Sequence, residues 1–170
     1  MKKVILSIFM LLLFSAPAFC IGNSLEDTIY LLKESFIEKN VPILLKHIDL
    51  DGIIRNKIRK YSRSAKNNKS LFLRTAGRVA GASEGMLVST TATLAVSEFN
   101  KAPEEKIREY IDTVKFDKIG ENNSSGYAIG SFWGKPFLIA AIKNSGDWKI
   151  IAVESTLIDA EIENALKRIR

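Results

Sequence analysis

The chain has 170 residues, of which 46% are hydrophobic and 26% charged, and its formal net charge is +6. It contains one histidine and one cysteine, which argues against a His/Cys metal cluster, a Cys/His nucleophilic pair and an internal disulfide. We therefore expect no catalytic residues, no metal and no cofactor, and one domain that is stabilised by its hydrophobic core.

The first residues predict an export signal. Lys2 and Lys3 precede an almost unbroken apolar run, 4–14, which the small residues Ala16-Pro17-Ala18 follow. A mature helix needs about 20 apolar residues to cross a bilayer, and this run is shorter. Residues 1–18 are therefore predicted to be a cleaved signal peptide.

Cleavage there predicts a periplasmic or secreted protein with a single domain over residues 19–170. The alternative is a lipoprotein that is anchored through Cys20, which lies just after the apolar run. Lipoprotein processing favours a small residue directly before the cysteine and a leucine three residues before it. This chain has Phe19 and Pro17 at those positions, so the lipoprotein is the less favoured interpretation.

Apolar residues at intervals of three and four predict a first helix over about 24–39. Ser24 is its expected N-cap, with Asp27 in an imperfect capping box. Asn40 is expected to end this helix, and a short segment from Pro42 to His47 follows.

Asp49 or Asp51 is expected to cap the next helix. A third helix is predicted over about 71–99, with a break near Gly81 or Gly85 because each helical glycine costs about 1 kcal/mol relative to alanine. Small residues recur in it at every fourth position and predict a close approach of a neighbouring backbone. These residues are Gly77, Gly81, Gly85, Ser89, Thr93 and Ser97.

After a short helix between Pro103 and Asp112, the periodicity changes to two and predicts an antiparallel meander. The four strands are expected at about 114–119, 127–133, 137–143 and 148–154. Turns are expected at 134–136 and 144–147, where glycine, proline and asparagine occur.

The third of these strands is apolar on both faces, which predicts a central position with cover on each side. A last helix from about Thr156 is expected to pack on the sheet. The predicted fold class is α+β, with N-terminal helices packed on a four-stranded antiparallel meander and a C-terminal helix.

Charge is distributed asymmetrically along the chain. Nine basic residues and no acidic ones lie between Gly52 and Ser83. We predict that a basic helix face in this stretch binds an anionic membrane surface or another envelope component, because such a patch raises the local concentration of anions. Its expected binding residues, called the basic face below, are Arg55, Arg59, Lys60, Arg63 and Lys66.

Other interpretations of the same residues remain open. The first alternative is that the basic face is a solvated helix surface without a binding partner. Nucleic acid is not an expected partner, because no recognition fold accompanies the charge. A second functional hypothesis is a carrier whose small apolar or lipid ligand lies between the sheet and the helices. A hydrolase that uses His47 and Asp49 is the least favoured, and we expect Asp49 to cap a helix instead.

The run from Lys39 to Lys60 resembles the opening of a family of small exported bacterial proteins known only as a domain of unknown function. The family's Leu-x-x-hydrophobic-Asp step and following basic helix correspond to Leu45, Ile48, Asp49 and Arg55. A looser similarity extends through 77–85 and the strand with Trp148. The resemblance implies a helical first part, a C-terminal antiparallel sheet and export. It implies no catalytic residues, since the family has no assigned activity.

Overall fold

A computed structural model of the chain describes residues 24–66 and 83–155. In these ranges helices come first and a sheet follows, so the predicted α+β class is confirmed. The helices are α1 (Leu25–Ile37), α2 (Val41–His47), α3 (Leu50–Lys66), α4 (Glu84–Lys101) and α5 (Glu104–Asp112). The strands are β1 (Val114–Glu121), β2 (Ser125–Phe132), β3 (Lys135–Asn144) and β4 (Asp147–Ser155).

Four sequence predictions fall wholly or partly outside the described residues. They are the signal peptide over 1–18, the lipid anchor at Cys20, the third helix as far as residue 82, with Gly77 and Gly81, and the C-terminal helix from Thr156. Within 24–66 and 83–155, no helix combines the length and the apolar character that crossing a membrane would require.

The sheet is the predicted meander, with strand order β1-β2-β3-β4 and antiparallel pairing throughout. Two tight turns join its last three strands. Trp133 and Gly134 have φ of 47° and 69°, and Ser145 and Gly146 have φ of 51° and 92°. Two central residues with positive φ match the twist of the flanking strands. The first turn lies one residue earlier than predicted, because Trp133 occupies it and Lys135 already belongs to β3.

Helices cover one face of the sheet, the inner face. Strand β2 can approach helix α1 closely because residue 126 is a glycine: a Cβ on Gly126 would lie 2.7 Å from Leu25 Cδ2. Strands β1 and β2 approach as closely at Gly130, where a Cβ would lie 2.1 Å from the Lys115 carbonyl oxygen. The side chains on this face are apolar and buried: Val114, Ala128, Phe132, Phe137, Ile139, Ala141, Trp148, Ile150 and Val153.

The opposite, outer face of the sheet is less buried than the inner face in the described residues. Strand β3 is central, as expected, but its side chains are buried on one face only. Leu138 and Ile142 of β3 and Ile129 of β2 are exposed on the other. The C-terminal helix that the sequence predicts to pack on the sheet lies outside the described residues.

Local signals in the sequence explain where the first helices begin. The Ser24 hydroxyl accepts a hydrogen bond from the Asp27 backbone N–H at 3.0 Å, and Asn40 Oδ1 accepts one from the Ile43 N–H at 3.3 Å. Both are predicted helix boundaries, and side-chain caps of this kind satisfy N–H groups that a helix start leaves free.

Helix α4 begins at Glu84, between the two glycines where a break was expected. Its buried side is formed by Val88, Ala95 and Phe99. The small residues Gly85, Ser89 and Thr93 are exposed. The predicted close helix crossing at these positions is therefore wrong for α4, since the larger apolar residues, not the small ones, form its packed side.

Candidate anion-binding face

Asp49 fixes the position of the basic helix α3 relative to the sheet. Its backbone N–H donates to the Ile150 carbonyl at 2.8 Å, and its own carbonyl accepts from the Ile53 N–H at 2.9 Å. Its side-chain Oδ1 accepts from the Gly52 N–H at 3.1 Å. One residue thus joins the edge of β4 to the first turn of α3, which confirms Asp49 as the expected cap.

From this junction α3 runs alongside β4 in the same direction. Its start lies at Ile150, and the ammonium groups of Lys57 and Lys60 both reach the Glu154 carboxylate. The helix advances about 12 to 17 Å between these points at 1.5 Å per residue. The strand advances about 13 Å over the same interval. The matching lengths hold the cations of α3 at the end of β4.

Two arginines of the basic face share one carboxylate. Arg59 Nε donates to Glu84 Oε2 at 2.9 Å, and Arg55 Nε lies 3.7 Å from Glu84 Oε1. The hydrogen bond from Arg59 lowers the pKa of Glu84 below its ordinary value and raises the pKa of Arg59. Both guanidinium groups stay about half exposed, at 46% for Arg55 and 50% for Arg59.

Two lysines share a second carboxylate in the same way. Lys60 Nζ lies 2.9 Å and Lys57 Nζ 3.2 Å from Glu154 Oε2. Burial alone would raise the pKa of Glu154, but the two ammonium groups outweigh it and the pKa is lowered. Lys57 is only 8% exposed, whereas Lys60 is 57% exposed. Lys57 is therefore a structural cation and Lys60 a surface one.

Arg63 lies one turn further along α3 and is exposed. Lys66 is the last residue of the helix, and its side chain lies outside the described part of the chain. Within the described part, Glu84 contacts Arg55 and Arg59, and Glu154 contacts Lys57 and Lys60. The structure thus brings Arg55, Arg59, Lys60 and Arg63 together on one helix.

His47 and Asp49, the candidates for hydrolysis, have structural partners. His47 is buried, and its Nδ1 lies 2.9 Å from the Trp148 carbonyl oxygen. Asp49 uses its carboxylate as a helix cap. In 24–66 and 83–155, no three His, Cys, Asp or Glu side chains are grouped so that they could hold a metal ion.

The carrier hypothesis requires space between the sheet and the helices. In the described residues that interface is filled by buried side chains such as Leu25, Phe36 and Trp148. An open groove of about 330 Å³ lies elsewhere, against α4, and its lining includes Leu45 and Val96. These features do not favour an apolar ligand at the predicted place, and the carrier stays a prediction.

The acidic partners of the basic face could not be found from the sequence. Glu84 lies 25 residues from Arg59, and Glu154 lies 94 residues from Lys60. Neither spacing leaves a periodic signal, because the contacts depend on how α4 and β4 pack against α3.

No protein-family model, no curated protein and no solved structure matches this chain. The assignment of a function therefore depends on the residues themselves.

Proposed function

We propose that the protein is an exported, non-catalytic accessory domain of the cell envelope that uses its basic face to dock on an anionic surface. The observation that carries this proposal is the clustering of Arg55, Arg59, Lys60 and Arg63 on one helix, where Arg55, Arg59 and Lys60 keep about half of their side-chain surface exposed and Arg63 is exposed. Export rests on the predicted signal peptide. Outside the cytoplasm, phospholipid headgroups and envelope polysaccharides are abundant anions.

The two carboxylates support the proposal in a second way. Long cationic side chains lose conformational entropy when they bind, and this loss weakens binding. Glu84 holds Arg59, and Glu154 holds Lys60. Because the two cations are already partly ordered, binding an anion costs them less. Each guanidinium has five N–H donors in a planar fork that suits phosphate oxygens.

The size of the effect is sufficient for a measurable affinity. A basic residue close to an anionic leaflet contributes about 1 kcal/mol, and this attraction falls off within a Debye length. Four such residues acting together would strengthen binding by several powers of ten at low salt. The affinity would then decrease strongly as the salt concentration rises.

The experiment is co-sedimentation of residues 19–170 with vesicles, either neutral phosphatidylcholine or a mixture with phosphatidylglycerol, across a salt series. The test variant changes Arg55, Arg59, Lys60 and Arg63 to Gln. The control variant changes four cations elsewhere, Lys33, Lys101, Lys106 and Arg108, to Gln, so that both lose the same charge.

We expect salt-sensitive binding to the anionic vesicles only, reduced more than tenfold in the test variant and by less than threefold in the control. Equal losses of affinity in the two variants would mean that binding depends only on net charge, and would contradict a specific role of the basic face. No binding by the natural chain at low salt would reject a lipid surface as the docking partner.

A further inference from the structure

Trp133 combines an unfavourable backbone conformation with an exposed side chain. It is the first residue of the β2–β3 turn, with φ of 47°, and it is 47% exposed. A bulky side chain rarely adopts positive φ, and Asn, Asp or Gly normally occupies this turn position. Backbone strain of this kind concentrates at functional sites. The other tryptophan, Trp148, is 1% exposed.

The strained tryptophan is held in place by two aromatic rings. Its ring centroid lies 4.8 Å from that of Tyr110 and 4.7 Å from that of Phe132. Phe132 is buried on the inner face, while Tyr110 is half-buried. Burial and the neighbouring Glu109 raise the pKa of Tyr110, so its hydroxyl stays protonated and polar. The turn therefore presents a fixed indole beside a phenol.

The turn lies at the same end of the sheet as the basic face. Strand β3 leaves the turn at Lys135, and three residues later Leu138 pairs with Glu154 of β4. Glu154 is the carboxylate that holds Lys60. Four residues of strand and one strand spacing separate Gly134 from Glu154, which is on the order of 15 Å. Lys135, next to the turn, is also exposed.

Aromatic side chains with a polar edge beside lysine and arginine are typical of surfaces that lie in the headgroup region of a bilayer. Tryptophan and tyrosine are enriched there because their rings are apolar and their N–H or O–H groups remain hydrated. Stable membrane binding generally combines electrostatic attraction with an apolar insertion. The end of the sheet supplies both.

We infer that Trp133 is an anchor that enters the headgroup region of an anionic lipid bilayer when the basic face docks on it. This inference rests on the proposed function and selects phospholipid over polysaccharide or protein as the surface. Tyr110 and Phe132 orient the indole, and the cations of α3 bring it to the membrane.

The experiment uses residues 19–170 and vesicles of phosphatidylglycerol and phosphatidylcholine with brominated acyl chains. Because Trp148 is buried, the difference in fluorescence between the natural chain and Trp133→Phe reports the indole at 133. Trp133→Asn removes the anchor while keeping a turn sequence, Asn-Gly, that folds readily. Leu138→Asn is the matched control, because Leu138 is an exposed apolar residue near the same end.

We expect the emission of Trp133 to move to shorter wavelength on the vesicles and to be quenched by the brominated lipid. Trp133→Asn should bind about tenfold more weakly, or about 1.4 kcal/mol, and remain salt-sensitive. Leu138→Asn should bind within twofold of the natural chain.

Three results would overturn the inference. Unchanged emission, with Trp133→Asn binding as the natural chain does, would mean that the basic face docks without an anchor and would leave the proposed function intact. No vesicle binding by the natural chain would remove both. A Trp133 shift with dextran sulfate but not with vesicles would assign the indole to a polysaccharide.

Discussion

Two regions of this molecule contain residues that look functional in the sequence, and they differ in how completely their groups are used. At the junction of α2 and α3, His47 and Asp49 are fully engaged in holding helices to the edge of β4. At the far end of α3 and the β2–β3 turn, Arg59 and Trp133 are about half exposed. The comparison shows that residues of reactive or charged type fall into two groups. Some are buried in contacts that stabilise the fold, and others are exposed at the surface.

The two tryptophans give the largest expected contrast. Trp148 belongs to the junction and is fully buried, so Trp148→Ala should lower the free energy of unfolding by about 3 to 5 kcal/mol. Trp133→Ala loses two ring contacts and relieves little of the backbone strain, since alanine also avoids positive φ. We expect the free energy of unfolding to decrease by about 1 kcal/mol. Urea unfolding of both variants checks this. Comparable losses would mean that Trp133 is a core residue.

His47 should behave as a structural residue. His47→Ala leaves the Trp148 carbonyl without this partner and opens a cavity, and we expect about 2 to 3 kcal/mol of destabilisation. Chemical denaturation measures the loss, and vesicle binding by the folded variant should match the natural chain. A stable variant that no longer binds would move His47 into the functional region.

The Asp49 cap determines how a substitution at Gly52 should change stability. A Cβ on Gly52 would lie 2.2 Å from Asp49 Oδ2, so Gly52→Ala must displace the cap. The loss of a cap, about 1 kcal/mol, offsets the gain in helix propensity, also about 1 kcal/mol. Gly52→Ala should therefore be nearly neutral in the natural chain.

In an Asp49→Ala background no cap is left to displace. The same Gly52→Ala change should then stabilise the protein by about 1 kcal/mol. A double-mutant cycle measured by thermal unfolding gives the coupling. Additive effects would show that the Asp49 carboxylate and Gly52 do not interact.

The smallest expected effect is on the dependence of stability on pH. The pKa values of Glu84, Asp147 and Glu154 are lowered by their cationic partners. A carboxyl whose pKa is depressed in the folded state adds stability above the pKa that it has in the unfolded chain, about 3.9 for Asp and about 4.3 for Glu. This stability is lost as the pH falls further, through the pKa of the folded state. The melting temperature should therefore decrease below about pH 4.5.

Glu84→Gln with Glu154→Gln should make this decrease shallower, because two of the three carboxyls are removed. Differential scanning calorimetry between pH 3 and 6 measures it. An identical slope in the double variant would mean that the ion pairs of α3 do not contribute to folding.

The sequence predicted most of the fold because its signals are local. Ser24 and Asp49 cap their helices as expected, and alternation at 114–155 predicted each strand. Asn40 was expected to end the first helix, and it caps the second. The turn at Trp133 was placed one residue late because tryptophan is not a usual turn residue. The exposure of Leu138 and Ile142 on the outer face could not be read from the apolar run in β3, because such a run does not say which of its two faces the N-terminal helices cover.

The site was predicted only in part for the same physical reason. The cations of the basic face lie at helical spacing and could be found together. Their partners Glu84 and Glu154, and the contact of His47 with Trp148 across 101 residues, depend on tertiary packing. The backbone strain at Trp133 could not be predicted from the sequence either, since it arises from the turn that joins β2 and β3.

The central claim is that the exposed cations of the basic face bind an anionic lipid surface. Measuring vesicle affinity for the double variant Glu84→Gln, Glu154→Gln tests this directly, because the variant gains two positive charges but loses the partners that order Arg59 and Lys60. If the face docks on anionic lipid, the two added positive charges should outweigh the lost ordering of Arg59 and Lys60, so binding at low salt should become several-fold tighter and more salt-dependent. Unchanged affinity and unchanged salt dependence would contradict the claim, because charge added on α3 would then have no effect on docking.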